Sequence, residues 1–151
     1  MANLKLQTGE DNPTLRKKCE PVKKVTKKEL KLIKEMEELL KEKKGLGLAA
    51  PQVGENIRLC IVRLNYNTDS EIIMPLINPR ITSLSDEKFT FEEGCLSLPD
   101  RFEKVTRPKR IELMFMNKKG DIQTLVLNDL NAVVVQHEID HLDGILFVDR
   151  I

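Results

Sequence analysis

The sequence predicts an α+β fold on three observations. A T-x-x-E capping box, Thr26 to Glu29, opens one helical stretch. Short runs rich in Ile, Leu, Val, Phe and Met follow, separated by turn residues and not alternating with long helices. A second apolar helical stretch lies between Asn128 and Gly144. Strands that are not interleaved with helices argue against a doubly wound parallel sheet. Mixed or antiparallel strands with two main helices are expected instead.

Each element has its own signal. The segment up to about Pro21 has scattered Pro, Gly and Asn and reads as extended chain or short turns. After Thr26, the apolar residues Leu30, Ile33, Met36 and Leu40 recur at helical spacing. Lys41, Lys43 and Lys44 crowd the end of this helix, where cations suit its dipole, and Gly45 is a ready stop. Strands are expected at residues 58–64, 72–77, 88–91, 110–116 and 121–127. Asn117 to Gly120 reads as a hairpin loop with Gly120 in the left-handed region. Asn128 is a suitable N-cap for the second helix, and Gly144 a suitable stop.

Composition bounds the rest. The length of 151 residues, without repeat, low-complexity segment or linker, implies one domain over residues 1–151. Charges nearly cancel at 25 basic against 24 acidic residues, which speaks against a general nucleic-acid binder. The longest apolar runs, residues 59–62 and 132–135, are too short to cross a bilayer, so no membrane role is expected. Residues 1–13 hold no apolar leader core, so no secretory signal is expected. Three widely spaced cysteines, Cys19, Cys60 and Cys95, do not make a disulfide framework and suit a reducing cytoplasm.

The chemistry concentrates in three segments. His137-Glu138-Ile139-Asp140-His141 is an H-E-x-x-H pattern on the second predicted helix. Residues four apart on a helix differ by about 40° around the axis and about 6 Å along it, so both imidazoles reach one divalent metal. Glu138 lies about 100° away and can instead lean toward an open coordination position and handle a proton. Val133, Val134 and Val135 imply a buried helix, and a buried helix with two imidazoles and two acids needs a reason. No third histidine exists to complete the site. Cys95, flanked by Gly94 just after a predicted strand, is the favoured third ligand; Asp143 and Asp149 are weaker candidates. Cys19 and Cys60 read as small buried hydrophobes.

The third segment is the glycine-rich stretch at residues 45–54. It lacks the Lys-Ser/Thr of a phosphate-binding loop, and Ala50 breaks the dinucleotide spacing. Gly45 and Gly47 serve either to end the first helix or to let an extended peptide lie close to the backbone. On the second reading Gln52 offers an amide N–H to a developing oxyanion.

Together these segments resemble peptide deformylase. Its three motifs, G-x-G-x-A-A-x-Q, E-G-C-x-S and Q-H-E-x-x-H, are complete and in order at residues 45–52, 93–97 and 136–141. Residues 12–16 are similar to the family's N-terminal P-x-L-R stretch, and residues 144–149 to the piece after its metal helix. The resemblance implies strands packed around a central metal-binding H-E-x-x-H helix, with one further, N-terminal helix. It implies that Cys95, His137 and His141 bind one divalent metal, natively Fe²⁺, with Ni²⁺, Co²⁺ or Zn²⁺ as substitutes. Glu138 is then the general base and acid, and Gln52 with the backbone N–H of Leu96 polarises the formyl carbonyl. The implied reaction removes the formyl group from N-formylmethionyl peptides and nascent chains, releasing formate.

Two further roles follow with the family's help. Glu93 is expected to pair with Arg107 and hold the Cys95 loop. Leu46, Gly47, Gly94 and Val134 are expected to line the peptide cleft, with plain core packing as the alternative for Val134. Many bacterial members continue into a C-terminal tail that docks on the ribosome, whereas this chain ends at Ile151. At most a weak ribosome association is therefore expected. The short form is similar to compact members, phage-encoded ones included, so the expected location is the cytoplasm of a bacterial cell or a phage-infected host. The competing readings are another metallo-amidase or peptidase with the same ligands, and a catalytically dead relative that binds N-terminal peptides.

Overall fold

A computed structural model describes residues 4–151. Residues 1–3, part of the stretch expected to carry no leader, lie outside the described residues. The order of elements is a one-turn helix α1 (Pro13–Arg16), α2 (Lys27–Lys43), β1 (Gly47–Ala49), a 3₁₀ turn (Ala50–Val53), β2 (Leu59–Leu64), β3 (Ile72–Leu84), β4 (Lys88–Cys95), β5 (Leu98–Pro108), β6 (Arg110–Met116), β7 (Ile122–Asn128), α3 (Asp129–Leu142) and a final 3₁₀ turn (Phe147–Arg150). The class is α+β. Five strands form one sheet in the order β1-β2-β3-β6-β7, and β4 pairs with β5 as a separate ribbon. Every named strand pair is antiparallel, which resolves the mixed-or-antiparallel expectation.

Helix α2 opens where the capping box places it. The Glu29 carboxylate accepts the Thr26 backbone N–H at 2.8 Å. Ile33, Met36, Leu39 and Leu40 are buried along one face, whereas Leu30 is 40% exposed and leaves the expected stripe. The helix does not end on Gly45. Lys44 takes the left-handed conformation at φ 56°, and its N–H caps the carbonyls of Leu40 and Lys41. Gly120 does adopt the left-handed region expected of it, at φ 86°.

The strands run longer than the apolar runs suggested. The strand expected at residues 72–77 continues to Leu84, passing Asn78-Pro79 as an irregularity. Asn78 is left-handed there, and its side chain accepts from Val22 N–H and donates to Val22 C=O, both at 2.8 Å. That clip ties the N-terminal segment to the sheet. Strand β5 was not expected, because residues 100–104 (Asp-Arg-Phe-Glu-Lys) hide its alternation under charge.

Helix α3 packs on β1 and β2 of the sheet and also meets β4 and β5. Asn128 precedes it as expected, but its side chain makes no capping bond. Gly144 ends it at φ 74°, and a β-carbon there would overlap the backbone of Arg16. One core cluster joins α3 to the sheet through Val134, Val135, Ile139, Leu113 and Phe115. Another lies between α2 and the sheet, around Met36, Leu48 and Ile61.

Candidate metal centre

The site forms where α3 and the β4–β5 ribbon meet. From Ala132 to Leu142 every residue of α3 is buried, including Gln136, His137, Glu138, Asp140 and His141. The four-residue spacing puts both imidazoles on one face, their centroids 5.1 Å apart. Cys95 arrives at the end of β4, after a register shift that follows Gly94. Cys95, His137 and His141 each bring one ligating atom, and these three atoms lie within 4.8 Å of one another. Cys95 Sγ is 3.3 Å from His141 Nε2.

Proton placement follows from the partners. His137 Nδ1 lies 2.9 Å from Glu93 Oε1. A carboxylate only accepts, so Nδ1 carries a hydrogen and Nε2 is the ring nitrogen left to bind a metal. Glu93 in turn accepts from Arg107 Nε at 2.7 Å and Nη2 at 2.9 Å. Arg107 also donates to Asp140 at 2.8 Å, and Asp140 accepts two bonds from Arg150, at 2.9 and 3.1 Å. Burial works against charge on Glu93, but bonds from His137 and Arg107 outweigh it and hold its carboxyl below the usual range. Burial likewise opposes charge on Arg107, yet Glu93 and Asp140 raise its pKa. His141 is pushed well below the ordinary imidazole value by burial and by His137.

Glu138 has a different environment. Its Oε2 is 4.0 Å from His137 Nε2, and its buried Oε1 has no hydrogen-bond partner. Burial, with Glu93 nearby, raises its carboxyl to about 7 despite His137. Gly47 packs against it so closely that a β-carbon there would overlap the carboxylate. Gln52 is held by its own loop: Oε1 accepts Ala49 N–H at 2.9 Å. That fixes the amide, so Nε2 donates to Ser97 Oγ at 3.1 Å and faces Cys95 Sγ at 3.5 Å.

A cavity of about 590 Å³ opens beside these groups. Leu46, Gly47, Gly94, Cys95, Leu96 and Val134 line it together with His137 and Glu138. Val134 is also packed into the core, so both readings of it hold. Gln52 stands behind Cys95 and is not a lining residue. The two weaker ligand candidates lie elsewhere: Asp143 pairs with Arg58 and Asp149 with Arg16. Cys19 and Cys60 are buried free thiols, and burial pushes that of Cys60 well up.

Three polar partners went unread in the sequence: Asp140, Arg150 and Ser97. Asp140 sits inside the x-x of H-E-x-x-H, and a second acid on a buried helix was the signal for it. Its cationic partners are 33 and 10 residues away, which spacing alone does not reveal.

The sequence model of the polypeptide deformylase family matches residues 5–151. The chain belongs to this family. A peptide deformylase of Bartonella tribocorum is 42% identical over 142 residues, covering 93% of this chain and 80% of that protein. The crystal structure of a probable peptide deformylase from Synechococcus phage S-SSM7 is 45% identical, with a TM-score of 0.91, covering 99% of this chain and 100% of that one. A peptide deformylase from Acinetobacter baumannii, solved with Met-Ala-Ser bound, is 33% identical, with a TM-score of 0.90 and 98% of each chain covered.

The donor set fits the divalent ion of a deformylase. One thiol and two imidazole nitrogens converge, and a buried oxygen of the neighbouring acid, Glu138 Oε1, lacks a protein partner. Among the described residues no helix is long and apolar enough to cross a membrane.

Proposed function

We propose that residues 1–151 act as one catalytic unit that removes the formyl group from the N-terminal formylmethionine of peptides and nascent chains, releasing formate. One observation carries this reading: three soft and borderline ligands converge, and two of them, Cys95 and His137, share a cavity wall with Glu138, whose Oε1 is unpartnered. Cys95 Sγ, His137 Nε2 and His141 Nε2 would hold the ion, natively Fe²⁺, with Ni²⁺, Co²⁺ or Zn²⁺ able to replace it. When bound, it would supply Lewis-acid polarisation and a lowered pKa for water.

The chain's own residues do the rest. Glu138 takes a proton from the attacking water at its free oxygen and returns it to the amine that leaves as the C–N bond breaks. Gln52 Nε2 and the backbone N–H of Leu96 donate to the oxygen on which negative charge develops. Glu93 orients the His137 ring, and Arg107 holds Glu93. Leu46 and Gly47 on one side and Gly94 on the other bracket the peptide backbone. An apolar wall including Val134 receives the methionine side chain, in keeping with the Met-Ala-Ser bound by the Acinetobacter relative. The reading places the protein in the cytoplasm of a bacterial or phage-infected cell.

Formate release from formyl-Met-Ala-Ser after anaerobic Fe²⁺ loading tests it. The expected result is one formate and one new amino terminus per peptide, with acetyl-Met-Ala-Ser turned over far more slowly. Cleavage at an internal peptide bond, or binding without formate release, would contradict it.

A further inference from the structure

The cavity reaches beyond the reacting groups. At its inner end Gly47 lies against Glu138. The chain then runs backward along the wall through Leu46 and Gly45 to Lys44 and Lys43, which also line the cavity and are exposed. Gly47 and Lys44 are three residue steps apart, so at most about 10 Å of chain lies between them. A substrate strand with the same rise per residue brings its second or third residue alongside these lysines. Among the described residues neither lysine forms an ion pair. The Lys44 backbone is pinned by bonds from its N–H to Leu40 and Lys41, which fixes the direction in which its side chain leaves. Strand β5 adds Asp100 and Phe102 to the lining. Two cations against one exposed acid leave the outer cleft locally positive, although the whole chain carries only +1.

We propose that Lys43 and Lys44 make the outer cleft select acidic residues at the second or third position of the formylated peptide. The proposal rests on the deformylase reading above. Lysines at a helix C-terminus also suit its dipole, but that role predicts no effect on substrate choice. Attraction between exposed charges is modest and screened by salt, so the preference is largest at low ionic strength.

The test compares kcat/KM for formyl-Met-Ala-Asp-amide, formyl-Met-Ala-Ser-amide and formyl-Met-Ala-Lys-amide, with Asp or Lys at position two as a second series. The amides remove the terminal carboxylate, which would supply its own charge. At about 0.01 M salt, where the Debye length is about 30 Å, Asp should exceed Lys in one series by about 3–10-fold, mainly through KM. At about 1 M salt, where that length is about 3 Å, the ratio should approach one. Lys43→Glu with Lys44→Glu should reverse the order; should that variant fail to fold, Lys43→Gln with Lys44→Gln should abolish it. A ratio within about twofold of one at low salt in both series, or one that survives the charge change, overturns the proposal. Formate release from the serine peptide keeps the deformylase reading intact in that event, while no release from any peptide overturns both.

Discussion

Helices α2 and α3 are of similar length, yet they use polar residues in opposite ways. In α2 the charged side chains face water, and one stripe of Ile33, Met36, Leu39 and Leu40 holds the helix to the sheet. In α3 eleven consecutive residues are buried, five of them polar. A buried polar group is costly unless another group satisfies it. In α3 the partners come from elsewhere in the chain: Glu93 from β4, Arg107 from β5, and Arg150 from the final turn. The comparison separates charge that keeps a helix soluble from charge that a fold has been built around.

The sharpest way to break this contrast is at Glu138, the polar residue of α3 whose Oε1 has no partner. Glu138→Gln should lower formate release by about 10²–10⁴-fold while metal content stays near stoichiometric. Thermal stability should not fall, because a buried acid is replaced by a neutral amide of the same shape. Loss of stability together with activity would mean the carboxylate is structural. Arg107→Ala comes next. It leaves buried Glu93 with His137 alone and Asp140 with Arg150 alone, which should cost about 3–5 kcal/mol in denaturant unfolding. Metal affinity should also weaken by about 10–100-fold, measured by chelator competition.

The ends of the two helices sharpen the comparison further, with smaller and opposite effects. Gly144→Ala at the end of α3 combines a left-handed backbone with an overlap against Arg16, and should destabilise by about 2 kcal/mol or more. Lys44→Gly at the end of α2 relieves a left-handed lysine and should stabilise by about 0.5–1 kcal/mol. Denaturant midpoints of the metal-free proteins check both, and a shared sign would show that cap geometry does not govern them.

The same contrast explains what was legible in the sequence. Helix α2 announced itself, because a capping box and a 3.6-residue stripe are local signals. The metal ligands were legible because helical spacing fixes His137 and His141 relative to each other, and because the lack of other donors pointed to Cys95. Glu93 with Arg107 was expected with the help of the family's pattern. Asp140 with Arg150 was not, since a bond between a helix and a later turn leaves no periodicity. Strand β5 escaped because residues 99–102 are exposed, so its charges follow solvent rather than a two-residue alternation. The stop of α2 was expected at Gly45, the residue that adopts a left-handed conformation at least cost, but Lys44 adopts that conformation one position earlier.

The central claim is that buried polar residues of α3 divide into two that hold a metal and one that moves a proton. Cobalt substitution tests it most directly, since a thiolate on Co²⁺ gives a charge-transfer absorption that imidazole or carboxylate ligands do not. The Co²⁺ protein and its Glu138→Gln variant should both show the thiolate band with one equivalent bound, and His141→Ala and Cys95→Ala should lose the band and most of the metal. A band that persists without Cys95, or that disappears in Glu138→Gln, would contradict the division.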